Sequence, residues 1–319
     1  MSVVDRIRAA VERPDVTIAH RLRPPPYGGS NQFLIALRGE LRRRGYRVSD
    51  VVARSTRATL VHAYLVDVEA LRERLPAGSR VVHRIDGPIG VYRGTDDAVD
   101  RRVVAINRAV ADATILQSRY SLEAHRQLGL EFSNPVVIPN AVDPSIFRPG
   151  PRRALGRKLR LIATSWSDNP NKGGDTYRWL AKHLDRDRYE LTFVGRSPVD
   201  LPGVTVVPPV GSQELAELLR AHDAYVAPSL HEACSNALLE ALACGLPTIY
   251  ARSGGHAELV GDAGFGFDSR EEIPELLERL RAEYGDRRSR ISIPSLSEVA
   301  TSYLEVLGLP AEQSRDVGP

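Results

Sequence analysis

The chain has 319 residues, of which 42% are hydrophobic and 26% are charged, a composition typical of soluble globular proteins. This length exceeds what one ordinary hydrophobic core accommodates, so we expect two domains of about 150 residues each. The formal net charge of +3 is too small to indicate a nucleic-acid-binding protein.

No run of the sequence approaches the ~18 apolar residues that span a membrane, and the N-terminal residues lack the apolar core of a signal peptide. The two cysteines, Cys234 and Cys244, are expected to be small apolar fillers. These features predict a cytoplasmic protein. Arginine clusters at residues 42–44 and 287–290 are typical of solvated helix faces. They leave one alternative open, which is peripheral association with the anionic inner face of a membrane.

The first strand is predicted at Val16–Ala19, a short β-branched run. A proline-rich turn then leads to Gly28 and Gly29, and Ser30 follows as the cap of a helix with apolar residues at i, i+3 and i+7. A strand, a glycine turn and a helix begin a doubly wound unit, in which ligands bind at such turns. Gly28 and Gly29 allow the backbone to approach a ligand closely, although a plain tight turn has the same pattern.

Further strands are predicted where short β-branched runs end in polar or glycine-containing turns. They lie at residues 48–52, 59–63, 81–87 and 113–116, and again at residues 159–163, 190–194, 204–207, 224–227 and 248–250. Helical patterns separate them, notably at residues 96–110 and 118–128, and another occupies residues 296–307. Two successive strand–helix sets without an internal repeat predict an α/β fold with two Rossmann-like domains.

A polar loop after the predicted strand at residues 159–163 contains Lys172, Gly173 and Gly174. Lysine is a point cation and glycine backbone closes on oxygen atoms, so this loop suits a diphosphate. An ordinary exposed loop is the alternative for a single lysine.

The segment at residues 228–247 has the most specific pattern: a strand end, a short polar turn, and a helix stopped by Gly245 and Pro247. The helix at residues 237–243 is apolar on nearly every side, which predicts that it is buried, and Glu240 is its one exception. A carboxylate in a buried helix is destabilising by several kcal/mol unless a partner meets it.

A second carboxylate, Glu232, lies just before this helix, and Ser235 and Asn236 between the two are good N-cap residues. Backbone N–H groups at such a helix start point outward, so an anion or a hydroxyl-rich ligand there meets donors, a positive dipole end and two acceptors. The alternative is a structural Glu240 paired with an arginine. The spacing of the two glutamates favours the ligand site.

The pattern Glu-x7-Glu followed by Ala-Leu-Ala-Cys-Gly-Leu-Pro resembles the signature of retaining glycosyltransferases of family four, also called glycosyl transferases group 1. The resemblance extends to the glycine turn and to Val-Ile-Pro-Asn-Ala-Val-Asp at residues 137–143. It implies the GT-B fold, with two Rossmann-like domains facing a central cleft and a C-terminal helix crossing back to the first domain. We expect an acceptor domain at residues 1–150, a donor domain at 151–295, and the C-terminal helix and tail at 296–319.

The resemblance places Glu232 at the donor sugar and Glu240 at the ribose hydroxyls of the nucleotide, with backbone donors at Ser235, Asn236 and Ala237. It places further groups around the donor as follows: Gly28 and Gly29 beside the diphosphate and acceptor, Lys172 at the diphosphate, and Val210 beside the nucleobase. The family also has an arginine before this lysine, whereas Ser165 or Trp166 stands there in this chain. We expect Arg84 or Arg196, or else hydroxyls and backbone, to replace it.

Family members often have His-Asp at a strand end in the first domain, with the histidine near the reacting sugar. Asp86 matches the aspartate, but Ile85 stands at the histidine position and His83 lies two residues earlier. Residues 83 and 85 share a strand face, so His83 reaches the cleft if the strand ends early. An ordinary core histidine is the alternative. The candidate catalytic residues are therefore Glu232, Lys172, His83 and Asp86.

The implied reaction is a metal-independent transfer of a sugar from a nucleotide-diphosphate donor to an acceptor hydroxyl on a glycan, a lipid-linked molecule or a small molecule, with retention of anomeric configuration and no cofactor. The sequence has no Asp-x-Asp at a strand end and no His/Cys ligand spacing, so no metal site is expected. Two alternatives remain: a GT-B-fold nucleotide-sugar epimerase, and a catalytically idle nucleotide-sugar-binding protein that lacks the phosphate arginine.

Overall fold

The computed structural model describes residues 13–23, 29–64, 66–151, 154–165 and 167–313, and these residues form two compact units. The first unit contains residues 13–23, 30–140 and 294–313, and the second contains residue 29 and residues 141–293. Gly28 and Trp166, which the sequence analysis singled out, lie outside the described residues.

The first unit is built on a parallel sheet in the order β2-β1-β3-β4-β5-β6. Its strands are β1 (Val16–Ala19), β2 (Val48–Ser49), β3 (Ala58–His62), β4 (Arg80–Ile85), β5 (Ala113–Leu116) and β6 (Pro135–Val137). Its helices are α1 (Gly29–Arg43), α2 (Val68–Arg72), α3 (Ile89–Arg93), α4 (Ala98–Val110) and α5 (Arg119–Gln127), with α12 (Leu296–Val306) from the chain end. Strand order reverses between β1 and β3, which is the topological switch point of this sheet.

Helix α12 packs within the first unit through several polar contacts. The Arg44 guanidinium donates to the Ser297 carbonyl at 2.6 Å, and the Tyr46 hydroxyl donates to the Pro310 carbonyl at 2.6 Å. The Tyr303 ring lies 5.6 Å from the Phe33 ring of α1. The predicted return of the C-terminal helix to the first Rossmann-like unit is therefore confirmed.

The second unit has its own parallel sheet in the order β12-β11-β10-β7-β8-β9. The strands are β7 (Leu159–Ser165), β8 (Tyr189–Gly195), β9 (Thr205–Val207), β10 (Ala224–Ala227), β11 (Thr248–Ala251) and β12 (Gly264–Phe267). The helices are α6 (Gly174–His183), α7 (Ser212–Ala221), α8 (Asn236–Ala243), α9 (His256–Val260), α10 (Ile273–Ala282) and α11 (Tyr284–Ser289). Counted from β7, this is the Rossmann order 3-2-1-4-5-6, with its switch point between β7 and β10.

Helices cover both faces of the second sheet. Because alternate strand residues point to opposite faces, neighbouring residues of one strand pack against different helices. Leu161 of β7 packs in a core cluster with Leu180 of α6 and Leu277 of α10. Ile162, the next residue, packs in a different cluster that contains Leu238 of α8. The predicted α/β class with two Rossmann-like units is confirmed. In the part of the chain that the structure describes, no helix is both long and apolar enough to cross a bilayer.

Candidate functional site

The segment at residues 228–247 folds as predicted and lies at the switch point of the second sheet. Strand β10 ends at Ala227, a turn follows, and α8 runs from Asn236 to Ala243. Leu238, Leu239 and Leu242 of α8 are buried, which accounts for the apolar character of this helix. Parallel α/β sheets bind ligands at the carboxyl ends of the strands beside the switch point. The two glutamates therefore lie where this fold places a ligand.

The N-terminus of α8 leaves polar backbone at this position. Ser235 occupies the N-cap with extended backbone, but its side chain makes no capping hydrogen bond. Helix geometry gives the N–H groups of the first turn no acceptor inside the helix, and the helix dipole adds about half a positive charge there. Asn236 and Ala237, which open the helix, are half-buried. This helix start suits an anionic group.

Glu232 forms an ion pair with Lys172 across the switch point. The Lys172 Nζ lies 2.9 Å from the Glu232 Oε1, and both side chains are largely removed from solvent. Burial by itself raises the pKa of the Glu232 carboxyl, but the Lys172 ammonium, the His256 ring and the Ser229 hydroxyl outweigh it and lower that pKa to about 2. Glu232 is therefore ionised at neutral pH, so it is a hydrogen-bond acceptor and not a proton donor.

Glu240 differs from Glu232 because it has no counter-charge. The half-buried Glu240 side chain makes no hydrogen bond or ion pair to any described residue, and burial raises its pKa to about 8. Within the described chain no arginine pairs with it, so the structural alternative for Glu240 is wrong there. A carboxyl group without a protein partner is rarely left in a protein interior unless a ligand or water meets it.

The loops that carry these residues are tied together by backbone hydrogen bonds. The Leu230 N–H donates to the Asn171 carbonyl at 2.7 Å, which links the β10 turn to the Lys172 loop. The Gly255 N–H donates to the Glu232 carbonyl at 2.8 Å. The His256 ring lies beneath this turn, with its Nε2 3.3 Å from the Ser229 hydroxyl. Sequence reasoning missed His256 and Ser229, because only the pairing of β10 with β11 brings them together.

Gly29 and Val210 also lie in the second unit. A Cβ atom at Gly29 would stand 2.5 Å from the Asn236 Nδ2, so only glycine allows this approach to the start of α8. Val210 is partly buried against the core cluster that contains Leu238 and Leu239 of α8. Gly29 thus lies beside the start of α8, and Val210 packs against the core cluster to which α8 contributes.

Asp86 lies at the carboxyl edge of the first sheet and is held by several donors. It accepts hydrogen bonds from Arg84 at 3.2 Å, from the Ser30 hydroxyl at 3.3 Å and from the Gln117 amide. Burial raises the pKa of Asp86, but the Arg84 guanidinium and the His62 ring outweigh burial and lower it. Its side chain remains about 39% exposed. Asp86 is therefore an ionised carboxylate that is partly accessible. Because Ser30 bonds to it from within α1, the prediction of Ser30 as a helix cap is wrong.

His83 takes the core-histidine alternative. It is fully buried in β4, its Nε2 lies 2.7 Å from the Ala63 carbonyl oxygen, and its Nδ1 lies 3.4 Å from the Asn107 amide nitrogen. Burial lowers the pKa of His83. Both ring nitrogens thus have protein partners, and His83 is not retained among the catalytic candidates.

Arg84 is also fully buried and does not replace the missing phosphate arginine. Its guanidinium donates to the Asn140 side chain at 2.7 Å, to the Tyr303 hydroxyl at 3.1 Å and to Asp86. The His62 Nδ1 lies 3.1 Å from the same group. The expectation for Arg84 is therefore wrong, because its hydrogen-bonding groups are used within the first unit.

Two histidines that the sequence did not single out meet at the switch point of the first sheet. The His20 and His62 rings lie 5.0 Å apart, edge to face, at the ends of β1 and β3. Burial and the Arg84 charge lower the pKa of both rings, that of His62 to about 3. They lie 42 positions apart in the chain, and only strand pairing brings them together.

In the described ranges, no group of three or more His, Cys, Asp and Glu side chains is placed to hold a metal ion.

Comparisons with known proteins give a family match and a set of structures with a similar fold. Residues 171–283 match the family model described as glycosyl transferases group 1. The chain is 32% identical over 197 residues to a D-inositol 3-phosphate glycosyltransferase of Actinosynnema mirum, an alignment that covers 52% of this chain and 47% of the relative. It is 28% identical over 235 residues to the protein of the same name from Stackebrandtia nassauensis, covering 62% and 53% respectively. The chain spans about half the length of the curated relatives it matches.

Solved structures resemble nearly the whole chain. Anabaena HepE in complex with UDP-glucose aligns over 92% of this chain and 94% of its own, with a TM-score of 0.65 and 16% identity. AviGT4, a glycosyltransferase involved in avilamycin A biosynthesis, aligns over 92% and 96%, with a TM-score of 0.62 and 18% identity. The predicted GT-B fold is confirmed. The matching family model and the relatives named above are glycosyltransferases, and none of these matches carries the name of an epimerase.

Proposed function

We propose that this chain is a retaining glycosyltransferase that moves a hexose from a nucleotide-diphosphate donor to an acceptor hydroxyl. The observation that carries the proposal is the asymmetric glutamate pair at the switch point of the second sheet. Glu232 is ionised and paired with Lys172, whereas Glu240 has no partner among the described residues. An unpaired carboxyl group beside a helix N-terminus suits a ligand that carries both hydroxyls and phosphates.

In this proposal Glu240 accepts hydrogen bonds from the two ribose hydroxyls of the donor. Because its pKa is about 8, the carboxyl group is protonated in the empty site at neutral pH, and hydrogen bonds from the ribose hydroxyls favour its ionised form when the donor binds. Glu232, already ionised, accepts hydrogen bonds from hydroxyls of the donor sugar. The backbone N–H groups at Ser235 and Ala237 and the amide of Gly29 face the diphosphate.

Lys172 stabilises the charge that develops as the bond from the anomeric carbon to the phosphate oxygen breaks. Its ammonium group has three N–H donors, so it keeps its ion pair with Glu232 and still donates to a phosphate oxygen. Stabilising the leaving group is the main catalytic demand of this reaction. Retention follows if the acceptor attacks from the face that the leaving group vacates, with the phosphate oxygen taking the acceptor proton.

The direct test is detection of a glycosylated product. UDP-glucose is the first donor to try because HepE binds it, and D-inositol 3-phosphate is the first acceptor because the relatives are named for it. We expect mass spectrometry to detect transfer from one member of a nucleotide-sugar panel, and NMR coupling of the anomeric proton to show retention. An inverted product contradicts the proposed mechanism. Donor binding without transfer to any hydroxyl acceptor favours the alternative of a nucleotide-sugar-binding protein without catalytic activity.

We propose that the reaction needs no metal, since Lys172 and the N-terminus of α8 supply positive charge at the phosphates. A chelator should leave turnover unchanged. Activity that is lost with the chelator and restored by Mg²⁺ or Mn²⁺ contradicts this.

We also propose a cytoplasmic enzyme that contacts an anionic membrane peripherally when its acceptor is lipid-linked. Co-sedimentation with phosphatidylglycerol vesicles, but not with neutral vesicles, checks the membrane contact.

A further inference from the structure

Among the described residues, the positive charge at the switch point of the second sheet is smaller than the negative charge of a diphosphate. The Lys172 ammonium lies 2.9 Å from Glu232, so Glu232 offsets much of its charge. The N-terminus of α8 adds only about half a positive charge. A nucleotide diphosphate carries more negative charge than this, so another cationic group at the same edge of the sheet would strengthen its binding.

Three basic residues follow strands near this switch point: Lys172 after β7, Arg196 after β8 and Arg252 after β11. The Arg252 guanidinium is paired with Asp268 at 3.0 Å. Arg196, in contrast, is exposed and its guanidinium makes no hydrogen bond or ion pair with any described residue. It is therefore the one of these three whose charge is not compensated within the described chain.

A buried hydroxyl next to Arg196 also lacks a partner. The Ser165 Oγ, at the carboxyl end of β7, is buried and makes no hydrogen bond within the described residues. The whole residue is only 7% exposed. A buried hydroxyl without a partner costs about 1–3 kcal/mol, so its retention needs an explanation. A phosphate oxygen bound at the strand end would supply the missing acceptor.

The backbone holds Ser165 and Arg196 side by side. Ser165 pairs with Gly195 in the β7–β8 ladder, and the Arg196 N–H donates to the Ser165 carbonyl at 2.9 Å. Gly195 has a φ of +129°, and a Cβ there would lie 1.7 Å from the Ser165 carbonyl oxygen, so only glycine permits this turn. Two inter-strand spacings, about 10 Å in all, separate β8 from β10 and the start of α8.

The loop after Arg196 also rests on the Lys172 loop. A Cβ at Gly174, the first residue of α6, would lie 3.3 Å from Pro198. Lys172 and Arg196 therefore belong to two loops that pack together at one edge of the sheet.

We propose that Arg196 and Ser165 bind the diphosphate of the donor and replace the arginine that the resemblance leads us to expect at residues 165–166. The guanidinium forms charge-assisted hydrogen bonds to phosphate oxygens, and the Ser165 hydroxyl donates one more. This inference rests on the proposed function, because it assigns two further residues to the same donor site.

The test is isothermal titration of UDP, ADP and GDP, and of the matching nucleosides, into the wild type and variants. Arg196→Gln should weaken the tightest-binding diphosphate by about 10- to 100-fold and leave its nucleoside unchanged, because the lost contact is charge-assisted. Arg196→Lys should restore part of the loss. Arg252→Gln, the matched control at the same edge, should bind like the wild type.

Ser165→Ala should weaken the diphosphate by about 10-fold, the value of one hydrogen bond to a charged acceptor. It should not lower the unfolding temperature, because the substitution removes a buried hydroxyl that has no partner among the described residues. If Ser165 were only structural, Ser165→Ala would lower the unfolding temperature and leave the affinity for the diphosphate unchanged.

The outcomes separate this inference from the proposed function. If the wild type binds a diphosphate and Arg196→Gln binds it equally well, the assignment of Arg196 is wrong while the donor site stands. If Arg196→Gln weakens nucleoside and diphosphate alike, Arg196 is structural and the assignment is again wrong. If the wild type binds no nucleoside diphosphate, both the inference and the proposed function are wrong.

Discussion

The two sheets present polar side chains at their carboxyl ends in different states. In the first unit, Arg84 bonds to both Asp86 and His62, and the network extends to Tyr303 of α12. In the second unit, Glu240 and the Ser165 hydroxyl have no partner within the described residues. Buried polar groups that bond to each other stabilise a fold, whereas groups left without a protein partner are available to a ligand. At the carboxyl edge of the first sheet the polar groups thus bond to one another. At the same edge of the second sheet, two polar groups have no partner among the described residues.

Among the substitutions that test this difference between the two units, the one at Lys172 should have the largest effect. Lys172→Ala removes the cation that we assign to the phosphates and leaves the half-buried Glu232 without its partner, so turnover should fall on the order of 10²–10³-fold with the fold intact. Steady-state kinetics measures this, and Lys182→Ala, at an exposed position on α6, is the control. Near-normal turnover in Lys172→Ala would show that the phosphates are held elsewhere.

The first unit should respond through stability. Arg84→Met removes a fully buried guanidinium and leaves Asp86 without its cation, so the free energy of unfolding should fall by about 3–5 kcal/mol. Denaturant titration measures the change, with the exposed Arg102→Met as the control. Unchanged stability would break the distinction between the two units, because the network of the first unit would then stabilise nothing.

Glu240 should affect stability in a pH-dependent way. Its pKa is about 8 in the native state against an ordinary value of 4.5, so between these values the native state keeps a proton that the unfolded state has released. The free energy of unfolding therefore falls as pH rises through this window. Glu240→Gln lacks this loss, so its unfolding temperature should exceed that of the wild type by several degrees at pH 9 and by much less at pH 5.

Exposed Glu217 of α7 provides the control for this measurement, since Glu217→Gln should show no such pH trend. An equal difference between Glu240→Gln and the wild type at both pH values would mean that Glu240 is already ionised and paired in the native protein.

Local sequence patterns predicted several strands of each sheet. Strands β1, β5 and β10 match the predicted bounds because each is a short apolar run rich in β-branched or aromatic residues between clear turn signals. The five-residue helices α2 and α3 were not predicted, since one helical turn leaves little periodicity in a sequence.

The candidate site was predictable only where one segment carries it. Glu232, Glu240 and the start of α8 lie within nine residues, so spacing and capping residues were enough to single them out. His83 was predicted as a catalytic candidate but lies in the core. Strand alternation shows which face of the sheet a side chain is on, and it does not show how deeply that side chain is buried. His62 and Ser165 depend on strand pairing that no local pattern reports.

The measurement that tests the account most directly is titration of the tightest-binding nucleoside diphosphate into the wild type, Glu240→Gln and Glu232→Gln. Glu240 is assigned to the ribose, so Glu240→Gln should weaken the diphosphate by about 10- to 100-fold. Glu232 is assigned to the sugar, so Glu232→Gln should bind the diphosphate normally and lose turnover with the complete donor. Loss of diphosphate binding in Glu232→Gln, with normal binding in Glu240→Gln, would contradict the account and reverse the two assignments.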